Sequence, residues 1–288
     1  MQSLILSPSF STALWASLWA SLRASYSNGF CPHDRDLHLH PVIDSTNTEA
    51  RRRAASDGDR VTLDIAGEQT GGRGRLGRSF HSPGGTGLYM TLGYTLHGPR
   101  AAAMTVTAQA AVAAATAIES LTGKSVGIKW VNDLYLLAAD DTHAPLGKLA
   151  GILCEAVPLD GDATRILVGW GINLTTRSFP SDLRAPAASL LSPDEEDTLT
   201  ADFMGKLAGD MAGRLLSHLT DTSDENATAC LASYRRRLLY VGSRVLCSRG
   251  SETFEATLRG VESDYSLLVE VDGKLRSLSS GEISVRVK

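Results

Sequence analysis

Gly71-Gly72-Arg73-Gly74-Arg75-Leu76-Gly77-Arg78-Ser79-Phe80 is a glycine- and arginine-rich loop set between two segments that both read as strands, Val61–Ile65 before it and Gly87–Leu96 (GLYMTLGYTL) after it. Working outward, Leu37, Leu39 and Val42 suggest a strand that ends at Asp44-Ser45-Thr46-Asn47. There Ser45 or Thr46 N-caps a helix through Ala50 and Ala54 that stops near Gly58. Downstream, Pro99 opens an alanine-rich helix with Met104, Ala108, Val112, Ala115 and Ile118 along one face, ended by Gly123. Val126–Trp130 then reads as a strand that Leu134–Leu137 continues, and Ala138–Leu146 as a turn bulging into solvent. Lys148–Val157 and Arg165–Leu174 are two further strands joined by a turn at Asp160-Gly161. Phe203, Leu207, Met211, Leu215 and Leu219 step by four along an amphipathic helix, and Glu225–Arg237 forms a second. Strands and helices in this order, without a strict strand–helix–strand rhythm, predict an α+β fold with a mixed sheet rather than a doubly wound one.

After Val241-Gly242 the helix pattern stops. Short strands follow at Arg244–Cys247, Thr253–Val261, Leu267–Val271, Lys274–Leu278 and Ile283–Val287, with Asp272-Gly273 as a tight-hairpin signal. This all-β stretch predicts a small barrel, too small for high stability unless docked on its neighbour. The expected division is therefore 1–36 as an amino-terminal extension, 37–240 as the main domain and 241–288 as the small β domain. Leu14, Trp15, Leu18, Trp19 and Leu22 in the extension fall at helical spacing. A short helix packed on the main domain, a targeting or membrane-surface segment, and a loosely ordered extension all stay open there. The extension holds no apolar run long enough for a spanning helix, so no membrane partner is expected.

Composition excludes other classes. Of 288 residues 43% are hydrophobic and 21% charged, which fits a globular chain and rules out disordered and fibrous ones. The net charge of −4 argues against nucleic-acid binding through bulk positive charge. Cys31, Cys154, Cys230 and Cys247 are far apart, with no C-x-x-C pair, which points to reduced thiols rather than a disulfide framework or zinc site.

The loop itself carries the chemistry. Its glycines let backbone approach a ligand closely, and its arginines offer forked donors for carboxylate or phosphate oxygens. Between Gln69 and Ile118 there are four arginines and no carboxylate, so the loop has no acidic partner nearby in sequence. Arg73, Arg75 and Arg78 repel one another, and an anionic ligand would relieve that repulsion. The expectation is a loop that is mobile when empty and ordered when filled. G-K-[ST] is missing, so this is not a Walker-type phosphate loop.

The segment resembles the signature loop of biotin protein ligases, G-R-G-R-x-G-R-x-W, and other marks of that family stand in order around it. Ser45-Thr46-Asn47 matches S-T-N, and Gln69 matches the glutamine ahead of the loop. Lys129-Trp130-Val131-Asn132-Asp133 matches K-W-P-N-D. Lys148 through Glu155 matches K-x-x-G-I-L-x-E, and Val168 through Asn173 matches V-G-x-G-I-N. Phe80 stands for the usual Trp and Val131 for the usual Pro. The first keeps an aromatic wall and loses an N–H donor; the second frees φ and restores a backbone donor.

The resemblance implies a mixed-sheet catalytic domain followed by an SH3-like β-barrel, and an ATP-dependent ligase acting in two steps. Biotin would be activated as biotinyl-5′-AMP and its acyl group passed to a lysine of a biotin carboxyl carrier protein domain, as in acetyl-CoA carboxylase. Lys148, Arg75 and Asp133 are the implied catalytic residues. Biotin and its adenylate are expected on Ser45, Thr46, Asn47, Gln69, Gly72, Arg73, Gly74, Arg75, Lys148, Gly151 and Gly171. Arg78, Asn132 and Asn173 are expected on the nucleotide, with Mg²⁺ carried by ATP rather than held in a dedicated site. Trp130 reads equally as an adenine platform or as core. The rival readings are a lipoate or octanoate ligase or transferase of the same fold, whose R-R-x-S-G-G-G segment is missing here, and a non-catalytic biotin-binding relative. About forty residues precede the S-T-N segment, too few for a helix-turn-helix domain, so no specific DNA binding is expected. A cytoplasmic location is expected and a homodimer stays open.

Overall fold

Period-two alternation in GLYMTLGYTL would expose one face of a half-buried strand, yet from Gly87 to Gly93 every residue is buried. Both faces of this strand are therefore covered, and the computed structural model shows by what. It describes Ala20 and residues 36–97, 103–183, 185–249, 251–279 and 283–287. The helical face at Leu14–Leu22, Cys31 and the helix start at Pro99 lie outside the described residues.

The main sheet is built from β1 (Leu37–His40), β2 (Thr62–Ala66), β3 (Gly87–Leu96), β4 (Val126–Lys129), β5 (Asp133–Leu137), β6 (Pro145–Pro158) and β7 (Thr164–Asn173). Its order is β1-β2-β3-β7-β6-β5-β4. The β1–β2 pair is parallel and the others are antiparallel, giving the expected mixed sheet. Helix α1 (Thr46–Asp57) lies on one face, against β2, β3 and β7. Helix α2 (Ala103–Thr122) covers the other face against β4, β5 and β6, and is itself backed by α3 (Ala201–Thr220) and α4 (Asp224–Arg237). The strand positions that face α2 are apolar: Ile65, Met90, Trp170 and Ile152 form one cross-strand row, and the Trp170 indole N–H donates to Ala110 O at 3.2 Å. Thr200 and Ser223 cap α3 and α4 by accepting from Phe203 N and Asn226 N.

One expectation is corrected. Leu134–Leu137 does not continue the strand that starts at Val126; the two pair antiparallel, with Lys129 opposite Asp133. The connecting residues Trp130 and Val131 are themselves buried, so hydropathy does not fall where the chain reverses. The Trp130–Val131 peptide is cis. Residues 139–146 are exposed, as a solvent-facing turn requires, but β6 begins at Pro145, earlier than the expected start at Lys148.

A polar core lies under α1. Arg165 is fully buried and donates to Gly58 O, Arg60 O, Thr62 Oγ1 and Thr95 Oγ1, with the Asp57 carboxylate 3.6 Å away. Arg53 makes a two-pronged pair with the buried Asp64 at 2.7 and 2.8 Å.

Beyond α4 come β8 (Arg244–Arg249), β9 (Glu252–Val261), β10 (Leu267–Val271), β11 (Lys274–Leu278) and β12 (Ile283–Val287). They form an antiparallel sheet in the order β11-β10-β9-β8-β12. Asp272 and Gly273 have φ of 51° and 74°, the paired left-handed values of the hairpin turn their sequence announces. This sheet is tied to the main one by the Trp130 indole N–H, which donates to Tyr265 O at 2.8 Å, and by Arg235, which donates to Val261 O. Among the described residues no helix is long and apolar enough to cross a membrane.

Candidate active site

Strand register lines up Ala66, Tyr89, Gly171, Gly151, Asp133 and Lys129 in one row on the α1 side of the sheet. The next row holds Asp64, Thr91, Gly169 and Leu153. Glycine in these rows opens a trough. A Cβ at Gly171 would lie 2.4 Å from the Phe80 ring, and one at Gly169 would lie 2.0 Å from Asn47 Oδ1. Phe80 and Asn47 therefore reach the sheet only because those two positions have no side chain.

The cavity over this trough, about 140 Å³, brings together thirteen of the sequence-predicted residues: Ser45, Thr46, Asn47, Gln69, Arg73, Gly74, Arg75, Arg78, Asn132, Asp133, Lys148, Gly151 and Gly171. Gly72 and Asn173 instead line a second, wider cavity of about 610 Å³, which shares Gln69, Arg78, Phe80, Lys129, Asp133 and Lys148 with the first. The Asn173 amide donates to Ala188 O at 3.2 Å, tying β7 to the segment beside it.

A chain of neutral hydrogen bonds crosses the first cavity. Gln69 Nε2 donates to Ser82 Oγ at 3.0 Å, and Gln69 Oε1 accepts from Thr46 N at 2.9 Å and Thr46 Oγ1 at 3.2 Å. Thr91 Oγ1 lies 2.8 Å from Thr46 Oγ1 and donates to Asn47 Oδ1 at 2.6 Å. Ser45 occupies the N-cap position of α1, but its hydroxyl makes no capping bond; it is buried at the cavity wall. Of its two anticipated roles only the lining one is realised.

The arginine loop folds onto this cavity as a tight reversal. Gly74 N donates to Arg78 O at 2.7 Å and Phe80 N to Gly72 O at 2.8 Å, while Leu76 takes a left-handed conformation at φ 58°. Acidic partners absent from the local sequence are supplied across the fold: Arg73 lies 3.2 Å from Glu155 on β6. Arg75 Nη1 donates to Asn132 Oδ1 at 2.9 Å. Burial pulls the Arg75 guanidinium below its ordinary value, opposed by the Asp133 charge.

Lys148 reaches the same space, with Nζ 2.7 Å from Asp133 Oδ1 and 6.0 Å from the Phe80 ring centre. Trp130 is 6% exposed with its N–H committed to Tyr265 O, and it also lines the first cavity, so it belongs to the core and to the cavity wall at once. Sequence reasoning gave no role to Thr91, Ser82 or Glu155. Thr91 hides in a strand whose neighbours are mostly apolar, and Glu155 is visible only as the last letter of the K-x-x-G-I-L-x-E stretch. Burial pushes the Cys154 thiol up to about 12, so it stays protonated near neutral pH.

A cavity with fixed cations at one end and neutral donors and acceptors at the other suits a ligand with an anionic head and a polar, uncharged body. Comparison with known proteins agrees. Residues 39–173 match the biotin/lipoate A/B protein ligase family. The bifunctional ligase/repressor BirA of Salmonella typhimurium is 32% identical over 248 residues, covering 85% of this chain and 73% of that protein. The biotin–[acetyl-CoA-carboxylase] ligase of Mycobacterium tuberculosis is 31% identical over 257 residues, covering 86% and 88%. In three dimensions the biotin protein ligase of Aquifex aeolicus, solved with biotin and ATP, superposes with a TM-score of 0.67 at 24% identity, over 88% of this chain and 100% of that one. The Leishmania major enzyme solved with biotinyl-5-AMP gives 0.55 at 25%, over 86% and 100%. The chain belongs to the biotin/lipoate A/B protein ligase family, among its biotin protein ligases.

Proposed function

We propose that the chain activates biotin with ATP to biotinyl-5′-AMP and then biotinylates a lysine of a biotin carboxyl carrier protein domain. What carries this reading is the meeting of Lys148, Arg73 and Arg75 over a trough whose other wall is the neutral Thr46–Asn47–Gln69 chain. In the first step a biotin carboxylate oxygen attacks the α-phosphorus, the acyl–phosphate bond forms, and the bond to pyrophosphate breaks. Two anions must approach each other, and Lys148, Arg75 and Arg73 lower the cost of that approach. In the second step the carrier's amine attacks the acyl carbon, an amide forms and AMP departs.

The ureido ring belongs against Ser45, Thr46, Asn47 and Gln69, and the valeryl tail runs over Gly151 and Gly171. The nucleotide belongs in the wider cavity and across its junction with the first, with Asn173 in the wider one, Arg78 in both and Asn132 in the first as its contacts, and Gly72 giving backbone access. Asn132 Oδ1 and Asp133 Oδ1 already pair with Arg75 and Lys148, so a divalent cation would arrive on the ATP phosphates rather than be held by these residues. A bound Mg²⁺ would screen the triphosphate charge. Residues 37–240 act as the catalytic domain and 241–288 as an SH3-like one. The setting is cytoplasmic, the carrier domain is the macromolecular partner, and neither specific DNA nor a membrane is required.

The test is biotin-dependent ATP–pyrophosphate exchange by the full chain. Exchange that needs biotin, falls in Arg75→Ala and is not supported by lipoate is the expected result; exchange indifferent to biotin overturns the reading. Tryptic cutting at Arg73, Arg75 and Arg78 should fall when biotin and ATP are both present. Equal cutting with and without them removes the idea that ligand orders the loop.

A further inference from the structure

Glu155 sits on β6, outside the lining of both cavities, yet Asn47 and Arg73 of the site and Arg51 of α1 converge on its carboxylate. Asn47 Nδ2 donates to Oε2 at 2.9 Å, Arg51 Nη2 donates to Oε1 at 2.8 Å, and Arg73 Nη1 lies 3.2 Å from Oε1. Its side chain is 11% exposed.

The chemistry of a carboxylate decides which way the Asn47 amide points. A carboxylate only accepts, so the Asn47 atom facing it is the nitrogen. The second amide N–H points to Leu153 O at 3.3 Å, so both donors of Asn47 are spent on the protein. The oxygen is left on the Thr91 side, directly over Gly169. With one Oδ1 lone-pair direction taken by Thr91, the other is what Asn47 offers a ligand. Asn47 therefore presents an acceptor, suited to a ring N–H of a cyclic urea. The same carboxylate holds Arg73, whose loop closes the cavity.

We propose that Glu155 is a positioning residue that sets the Asn47 amide as a hydrogen-bond acceptor for the ureido N–H and holds Arg73 of the arginine loop on the same carboxylate, so that urea recognition and loop closure share one anchor. This rests on the biotin-ligase reading above. A neutral glutamine in its place would keep the shape and lose both effects. It accepts or donates equally well, so the amide is free to turn, and Arg73 and Arg51 lose their counter-ion.

The experiment is a double-mutant cycle on biotin affinity by calorimetry, with wild type, Glu155→Gln, Asn47→Ala and the double variant, each checked for melting temperature. Glu155→Gln should weaken biotin about tenfold, the size of one charge-assisted hydrogen bond. In the Asn47→Ala background the same change should cost much less, because the amide it orients is gone. A second cycle with Arg73→Gln should show the same non-additivity in tryptic protection of the loop. A variant that melts normally and binds biotin as the wild type does overturns the proposal, as does a full tenfold loss that persists without Asn47. Wild-type protein that fails to bind biotin at all instead overturns the functional reading beneath it. Should Glu155→Gln fold poorly, Glu155→Asp, which keeps the charge, must retain more biotin affinity than Glu155→Ala; equal loss in both counts against the proposal.

Discussion

Lys148 Nζ and Asp133 Oδ1 are 2.7 Å apart because of a fault in the sheet. Ala150 pairs with Leu134, but Lys148 pairs with Tyr135, so Leu149 is an extra residue on β6. In a regular strand Lys148, three positions before Gly151, would face α2. The extra residue returns it to the Gly151 side, beside Asp133 and above the trough. Lysine is thus held by its partner at the point where carboxylate and phosphate must meet. Lys148→Met keeps the stem and removes the charge. It should lower kcat of biotin-dependent pyrophosphate exchange by about 10²–10³, the usual effect of deleting one preorganised charge-stabilising group. The KM for biotin should change little, and a variant with full kcat would remove Lys148 from the mechanism.

Gly171→Ala tests the trough. Its Cβ would fall 2.4 Å from the Phe80 ring, and since β7 is paired along both edges, the ring is what must give. Overpacking of this kind costs about 1–3 kcal/mol. The variant should melt lower and bind biotin more weakly, and Phe80→Ala in the same chain should return part of the lost stability by making room. Additive losses in the pair would show that the two positions do not compete for space.

Much of this was readable in the chain. GLYMTLGYTL coincides with β3 because a strand buried on both faces has sharp polar or glycine-rich ends. The leucine and methionine steps of α3 and the Ser45–Gly58 helix follow from local periodicity and capping sites. What could not be read depends on pairing between distant strands. Nothing in Lys-Leu-Ala-Gly shows that Leu149 is bulged, and without the bulge the lysine points the wrong way. Glu155 and Thr91 matter through residues more than forty positions away. The reversal at Trp130–Asn132 does not show in the sequence because Trp130 and Val131 are anchored in the core rather than drawn from the usual turn formers.

Arg165→Leu addresses stability apart from chemistry. The guanidinium is fully buried and satisfies two carbonyls and two threonine hydroxyls, with Asp57 alongside. Leucine would take this donor from Arg60 O and the Thr62 hydroxyl, while Asp57 keeps Arg60 and Arg53 and Gly58 O keeps the Thr95 hydroxyl, a loss of about 1–3 kcal/mol. Urea unfolding should show it, while pyrophosphate exchange at low temperature stays near wild type. An unchanged midpoint would mean that water replaces the arginine at little cost.

Acid should expose Glu155 in the same way. Burial alone would raise its carboxyl, but the N–H donors of Asn47 and Arg51 and the charges of Arg73 and Arg51 outweigh this and hold it below its ordinary value. A carboxylate whose folded value is depressed contributes stability above its unfolded value and loses it as pH falls through the folded one. The unfolding free energy of wild type minus that of Glu155→Gln should therefore be constant from about pH 6 to 9, and should shrink only below about pH 4.5, near the unfolded carboxyl value. Measured by denaturant titration across that range, a difference that grew toward acid would have the opposite sign. It would mean that the carboxylate is strained by its burial rather than held by its three partners.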